Sequence, residues 1–123
     1  MKEYEVVIIG GGSAGLTAGL YTSRARLNSL LIEKDLVGGL ITYAEQVENF
    51  PGFPAGIPGQ ELGDFMHQQA IKYGLETTIT EVTGIRFHKE RKVVTTTNGD
   101  FVTRALVIAS GSERQKLGVP GEE

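Results

Sequence analysis

At 123 residues, 40% hydrophobic and 22% charged, with a formal net charge of −3, the chain has the size and balance of one soluble globular domain. Its basic residues are interspersed with acidic ones, so nothing marks a nucleic-acid or anionic-membrane partner, and no apolar run approaches the roughly 18 residues of a membrane span. Cysteine is absent, which excludes a disulfide, a thiolate nucleophile or a thiolate metal site within these residues and is compatible with a cytoplasmic protein. The opening MKEYEVVIIGG lacks the pattern of a secretory signal, because its apolar run is short and passes straight into glycines.

Tyr4 to Ile9 is predicted as the first strand. Val6, Val7, Ile8 and Ile9 are consecutive rather than alternating, the pattern of a parallel strand buried on both faces. A helix is predicted from residue 14 to about 25, with Leu16, Gly19 and Leu20 on one face. Ser29 to Ile32 follows as a second buried strand, ended by Glu33, which completes a βαβ unit. Residues 34–58 show no clean period and are rich in Gly and Pro; a loop of this length suggests function, and Tyr43, Phe50 and Phe53 argue against simple disorder.

Gln60 to Tyr73 has the clearest helical period, with Leu62, Phe65, Met66, Gln69, Ala70 and Tyr73 on the expected core face and Gly74 as a C-terminal cap. Four strands are predicted beyond it, at about 76–82, 84–89, 91–97 and 101–109, the last with a break near Arg104. Asn98-Gly99 is a hairpin signal. His67 falls on the polar side of its helix and His88 in a strand; neither has triad or metal-ligand spacing around it, and both are expected at the surface.

Chemistry concentrates in the glycines. Of 17 in the chain, Gly10, Gly12 and Gly15 give the G-x-G-x-x-G spacing between a buried strand and a helix. The first allows the tight turn, the second lets backbone approach a pyrophosphate, and the third lets helix and sheet pack closely. Ser13 and Ala14 open the helix whose unpaired N–H groups would meet the phosphates. Glu33, at the end of the second strand, is placed to accept hydrogen bonds from a ribose 2′-hydroxyl and to repel a 2′-phosphate, with Lys34 beside it. NAD and FAD both satisfy this pattern.

Four segments together resemble the low-molecular-weight thioredoxin reductases, over essentially the whole chain: GGGSAGLTAGLYTSRA, the Gly38-Gly39 pair followed by Thr42, VENFPGFP (Val47 to Pro54), and ALVIASGSERQKLGVPGEE. The resemblance implies an α/β, Rossmann-like FAD/NAD(P)-binding fold, with a parallel central sheet, helices and a small antiparallel β-meander. It implies FAD as cofactor, with Gly10, Gly12 and Gly15 on the pyrophosphate and Glu33 on the adenosine ribose. It implies Gly39, Leu40 and Thr42 at the ribityl and flavin region, Asn49 with an amide to the flavin, and Val82 meeting adenine through its backbone. Ala109, Ser110 and Gly111 would close over the cofactor. Leu40 stands where the family usually has Gln, Ser110 replaces the Thr of its A-T-G motif, and Arg114-Gln115 departs from its usual Pro-Arg.

In such proteins electrons pass from NAD(P)H through FAD to a dithiol. The nicotinamide domain, the Cys-x-x-Cys and the returning second part of the FAD domain all follow the region this chain resembles. The expectation is therefore the first segment of a discontinuous FAD-binding domain, with no catalytic residue of its own. One sheet edge or face should be open, favouring self-association, as a homodimer for example, or a partner that supplies the missing C-terminal segment. The alternatives are a stand-alone FAD- or nucleotide-binding module working with a partner chain, and the NAD-binding domain of an unrelated dehydrogenase.

Overall fold

The computed structural model describes residues 1–112; Arg114, Gln115 and the closing L-G-V-P-G-E lie outside the described residues. In chain order the elements are β1 (Lys2–Ile9), α1 (Ser13–Arg24), β2 (Ser29–Glu33), a 3-10 turn (Gly39–Tyr43), α2 (Gly59–Ile71), β3 (Glu76–Ile79), β4 (Val82–His88), β5 (Arg91–Thr96) and β6 (Gly99–Ile108). The strands form one six-stranded sheet in the order β3-β2-β1-β6-β5-β4. Pairing is parallel from β3 to β6 and antiparallel from β6 to β4. The parallel sheet and the meander thus share β6, in an α/β, Rossmann-like arrangement.

The consecutive apolar residues of β1 divide between the two faces. Val6 and Ile8 join Leu31 and Leu16 of α1 in a cluster that extends to Ala70 of α2. Val7 joins Leu30 and Ile32 in a second cluster, closed by Val94, Phe101 and Val82 of the meander. Val7, Ile8 and Leu31 have no exposed surface. Each such side chain taken from water contributes roughly 1.5–3 kcal/mol before entropy is charged against it.

Several expectations need correction. β6 runs unbroken through Arg104, because its first half bonds β5 while its length bonds β1. The third predicted strand ends at Ile79 and the next begins at Val82. Between them the Thr80 N–H bonds the Glu33 carbonyl and the Thr80 hydroxyl meets Thr97 and Asn98, which takes the chain from the parallel edge into the meander. The core face of α2 is Gly59, Leu62, Gly63 and Ala70, with Met66 half-buried, whereas Phe65, Gln69 and Tyr73 are exposed. Two glycines draw this helix onto the 3-10 turn and rotate the predicted stripe. His67 is accordingly half-buried, with no hydrogen-bond partner for its buried Nε2 among the described residues. Residues 34–58 are ordered by the 3-10 turn and by a bridge between Val47 and Ile57, which are buried beside Leu62.

At the opposite end of the sheet the Tyr4 hydroxyl donates to Glu76 Oε2 at 2.6 Å. Burial, reinforced by the Glu76 carboxylate, pushes the phenol up from 10.0 to about 12. The unfolded tyrosine loses its proton near the ordinary value, while the folded one holds it. This contribution is therefore complete below pH 10 and is lost as pH rises towards about 12. Urea denaturation is expected to show a fall of about 2 kcal/mol across that window, and Tyr4→Phe should remove that component of the slope.

Candidate cofactor site

The order of the strands decides where a ligand can sit. From β1 the chain crosses to β2 on one side, while β6 lies on the other, so the carboxyl ends of β1, β2 and β6 face a crevice at a topological switch point. Hydrogen bonds from Gly10 N–H to the Ile32 carbonyl and from Ala109 N–H to the Ile9 carbonyl, both 2.8 Å, fix the three strand ends together. Above them opens a cleft of about 580 Å³, within the range of about 300–1,000 Å³ usual for small-molecule sites.

One wall is the start of α1, with Gly12, Ser13 and Ala14. The first-turn N–H groups of a helix have no partner inside it. Among the described residues no side chain caps them, and no acidic residue occupies the first turn, which leaves the positive end of the helix available to an anion. A Cβ added at Gly12 would meet nothing closer than Gly39 Cα at 3.9 Å, so the space before this backbone is open. The second wall is Glu33, Lys34, Asp35 and Leu36. Glu33 Oε1 accepts from Gly11 N–H and Oε2 from Asp35 N–H, each at 2.8 Å. The carboxylate is thus oriented by backbone while each oxygen retains capacity for a further donor, such as a sugar hydroxyl.

The third wall is the 3-10 turn. Gly38 and Gly39 have φ of +112° and +70°, the left-handed region that a side chain resists. Leu40 and Tyr43 are 66% and 70% exposed and give this side an apolar surface. Ala109, Ser110, Gly111 and Ser112 form the fourth wall.

Gly10 and Gly15 lie behind the cleft and shape it. A Cβ on Gly15 would overlap the Gly10 carbonyl, and one on Gly10 would lie 2.6 Å from the carbonyl carbon of Ala109. Thr42 does not line the cleft; its hydroxyl donates to the Gly39 carbonyl at 2.7 Å and its methyl faces Gly38 and Gly63. Asn49 is exposed in a separate hollow formed by residues 48–54, because the Val47–Ile57 bridge pinches that loop away. Val82 packs its side chain with the meander cluster and is likewise off the cleft wall. Sequence spacing passed over Gly11, an unspecified position in G-x-G-x-x-G. A Cβ there would press on Leu31 and Glu33 at 3.0 and 3.1 Å; the third consecutive glycine was the available signal.

The model for pyridine nucleotide-disulphide oxidoreductases matches residues 4–123. The chain belongs to this family. Thioredoxin reductase of Bacillus subtilis is 45% identical over 122 residues, which are 99% of this chain and 38% of that protein. The Listeria monocytogenes thioredoxin reductase is 44% identical with the same coverage. Among solved structures, the thioredoxin reductase of Lactococcus lactis superposes with a TM-score of 0.91 at 39% identity, over 96% of this chain and 39% of that one. That of T. acidophilum gives 0.91 at 30% identity, over 98% and 40%. The chain therefore spans about two fifths of the oxidoreductases it matches. Among the described residues no helix is long and apolar enough to cross a membrane, and no cluster of His, Asp or Glu could hold a metal ion.

Proposed function

We propose that the chain is the FAD-binding segment of a thioredoxin-reductase-like flavoprotein, which passes electrons from NAD(P)H through FAD to a disulfide or other acceptor. The observation that carries this reading is the pairing of two polar ends across one cleft. The uncapped, acid-free start of α1 beside open Gly12 suits a pyrophosphate, and the backbone-held carboxylate of Glu33 suits a ribose. The residues present fit the cofactor on those grounds. FAD, when bound, supplies the electron-accepting and electron-donating ring. The protein supplies the N–H groups that hold its phosphates, the acid that orients its sugar, and the apolar wall of Leu40 and Tyr43. In this reading nicotinamide binding and acceptor chemistry belong to residues outside these 123.

Titration of the chain with FAD, NAD and NADP separates the readings. Quenching of flavin fluorescence with weaker binding of both nicotinamide nucleotides is expected. Selective binding of NAD would instead favour an NAD domain.

The sheet also supports a missing neighbour. β5 pairs with β6 only as far as Thr103, while β6 continues to Ile108 along β1. On the side away from β1, residues 104–108 have no strand partner among the described residues; Lys92 Nζ bonds the Arg104 carbonyl, and Ile108 is 68% exposed. An open apolar strand edge invites pairing. This chain by itself is expected to self-associate, or to accept a separately supplied later segment of the parent protein. Light scattering that shows a monodisperse monomer, without binding of an exposed-hydrophobe dye, would remove this expectation.

A further inference from the structure

We propose that Glu33 also positions the Gly38–Tyr43 segment on the far wall of the cleft, through a backbone relay from Glu33 to Gly11 to Gly38. Naming the two ends as the sugar and ring ends of FAD rests on the reading above; the relay itself rests on geometry. Glu33 Oε1 accepts from Gly11 N–H at 2.8 Å, and the Gly11 carbonyl accepts from Gly38 N–H at 2.7 Å.

The residue between these two bonds is a glycine, whose φ and ψ no side chain restrains. A bond at its N–H and another at its carbonyl fix both torsions. Removing the first leaves Gly11 able to turn, and its carbonyl then leaves Gly38. The segment beyond depends on that bond. Gly38 and Gly39 hold two successive left-handed torsions. Among the described residues their other ties, Gly39 N–H to the Leu36 carbonyl and Thr42 hydroxyl to the Gly39 carbonyl, are internal to the loop. The Gly11–Gly38 bond is what joins the loop to the start of α1. Gly39 packs so closely there that a Cβ on it would lie 2.9 Å from Gly12 Cα. Glu33 is therefore a positioning residue for a wall it does not touch, and a sugar that bonds its carboxylate acts on the geometry of both ends.

Amide hydrogen exchange in the 123-residue chain, read by NMR without any ligand, tests the relay. Rates at Gly11 and Gly38 are divided by those at Val7 and Ile8 in the same protein, which cancels any global loss of stability. In Glu33→Ala the Gly38 ratio is expected to rise roughly tenfold, the scale of a lost hydrogen bond to a charged group. Glu33→Asp keeps the charge but is one methylene shorter; Gly11 and Gly38 should accelerate together there as well, and this milder variant decides the matter if the alanine variant does not fold. Faster exchange at Gly11 with Gly38 unchanged, or no change at either, overturns the relay. Titration of the unsubstituted chain with FAD is scored separately: failure to bind removes the cofactor reading and leaves the relay standing.

Discussion

Gly15→Ala is expected to destabilise the chain by about 2 kcal/mol or more, although alanine is the better helix former. Two effects compete. Within α1, glycine to alanine should gain about 0.5–1 kcal/mol from backbone entropy. Against this, the new Cβ would overlap the Gly10 carbonyl oxygen and stand 2.9 Å from its carbonyl carbon. Both atoms are backbone, held by the Gly10 N–H bond to Ile32 and by the close approach of Ala109, so no side chain can swing aside. Relief requires the helix to move off the strand, which opens the contacts of Leu16 with Ile8 and Leu31. The penalty therefore exceeds the helical gain. Thermal or urea denaturation reads it directly, and a transition midpoint equal to that of the unsubstituted chain would contradict the packing described.

Gly12→Val has the opposite profile. Gly12 has φ of −78° and ψ of −166°, extended values open to any residue, and its Cβ position is clear except for Gly39 at 3.9 Å. Gly12→Ala should therefore leave stability within about 0.5 kcal/mol of the parent. The valine places methyl groups in the space before the α1 N-terminus. If that space takes a pyrophosphate, two charge-assisted hydrogen bonds are lost at about 1.5 kcal/mol each, or about a hundredfold in affinity for FAD. The measurement is FAD titration of the folded variant beside a denaturation curve. Undiminished affinity would show that the phosphates do not lie against Gly12. Together these substitutions divide one sequence pattern by physical role: Gly15 and Gly10 make room for protein, and Gly12 leaves open the space that the proposed cofactor would fill.

The βαβ unit was legible because its signals are local. Four consecutive apolar residues at 6–9 can be buried on both faces only in a covered sheet, and Val7 and Ile8 have no exposed surface. The glycine spacing, Glu33 at a strand end and the Asn98-Gly99 turn each follow from backbone geometry within a few residues. The helix from about 60 was legible in extent, but its buried face was not. The period places Phe65 and Tyr73 inward, whereas close packing of Gly63 against Gly38 leaves Phe65 exposed and His67 half-buried, and the helix ends at Ile71, so Tyr73 lies in the exposed turn beyond it.

The sequence by itself determined that a strand, a glycine turn and a helix would present backbone N–H groups beside an acidic strand end. Chain order and residue type suffice for that, because hydrogen bonding and sterics act over one turn. The tertiary structure decided which residues meet. It made β6 common to the parallel sheet and the meander and, among the described residues, left residues 104–108 without a strand partner on the side away from β1. It turned Gly11 into the bond between Glu33 and Gly38, and it set Thr42, Asn49 and Val82 off the cleft wall. Those outcomes depend on contacts between segments distant in sequence, where close packing of backbone on backbone overrides local periodicity.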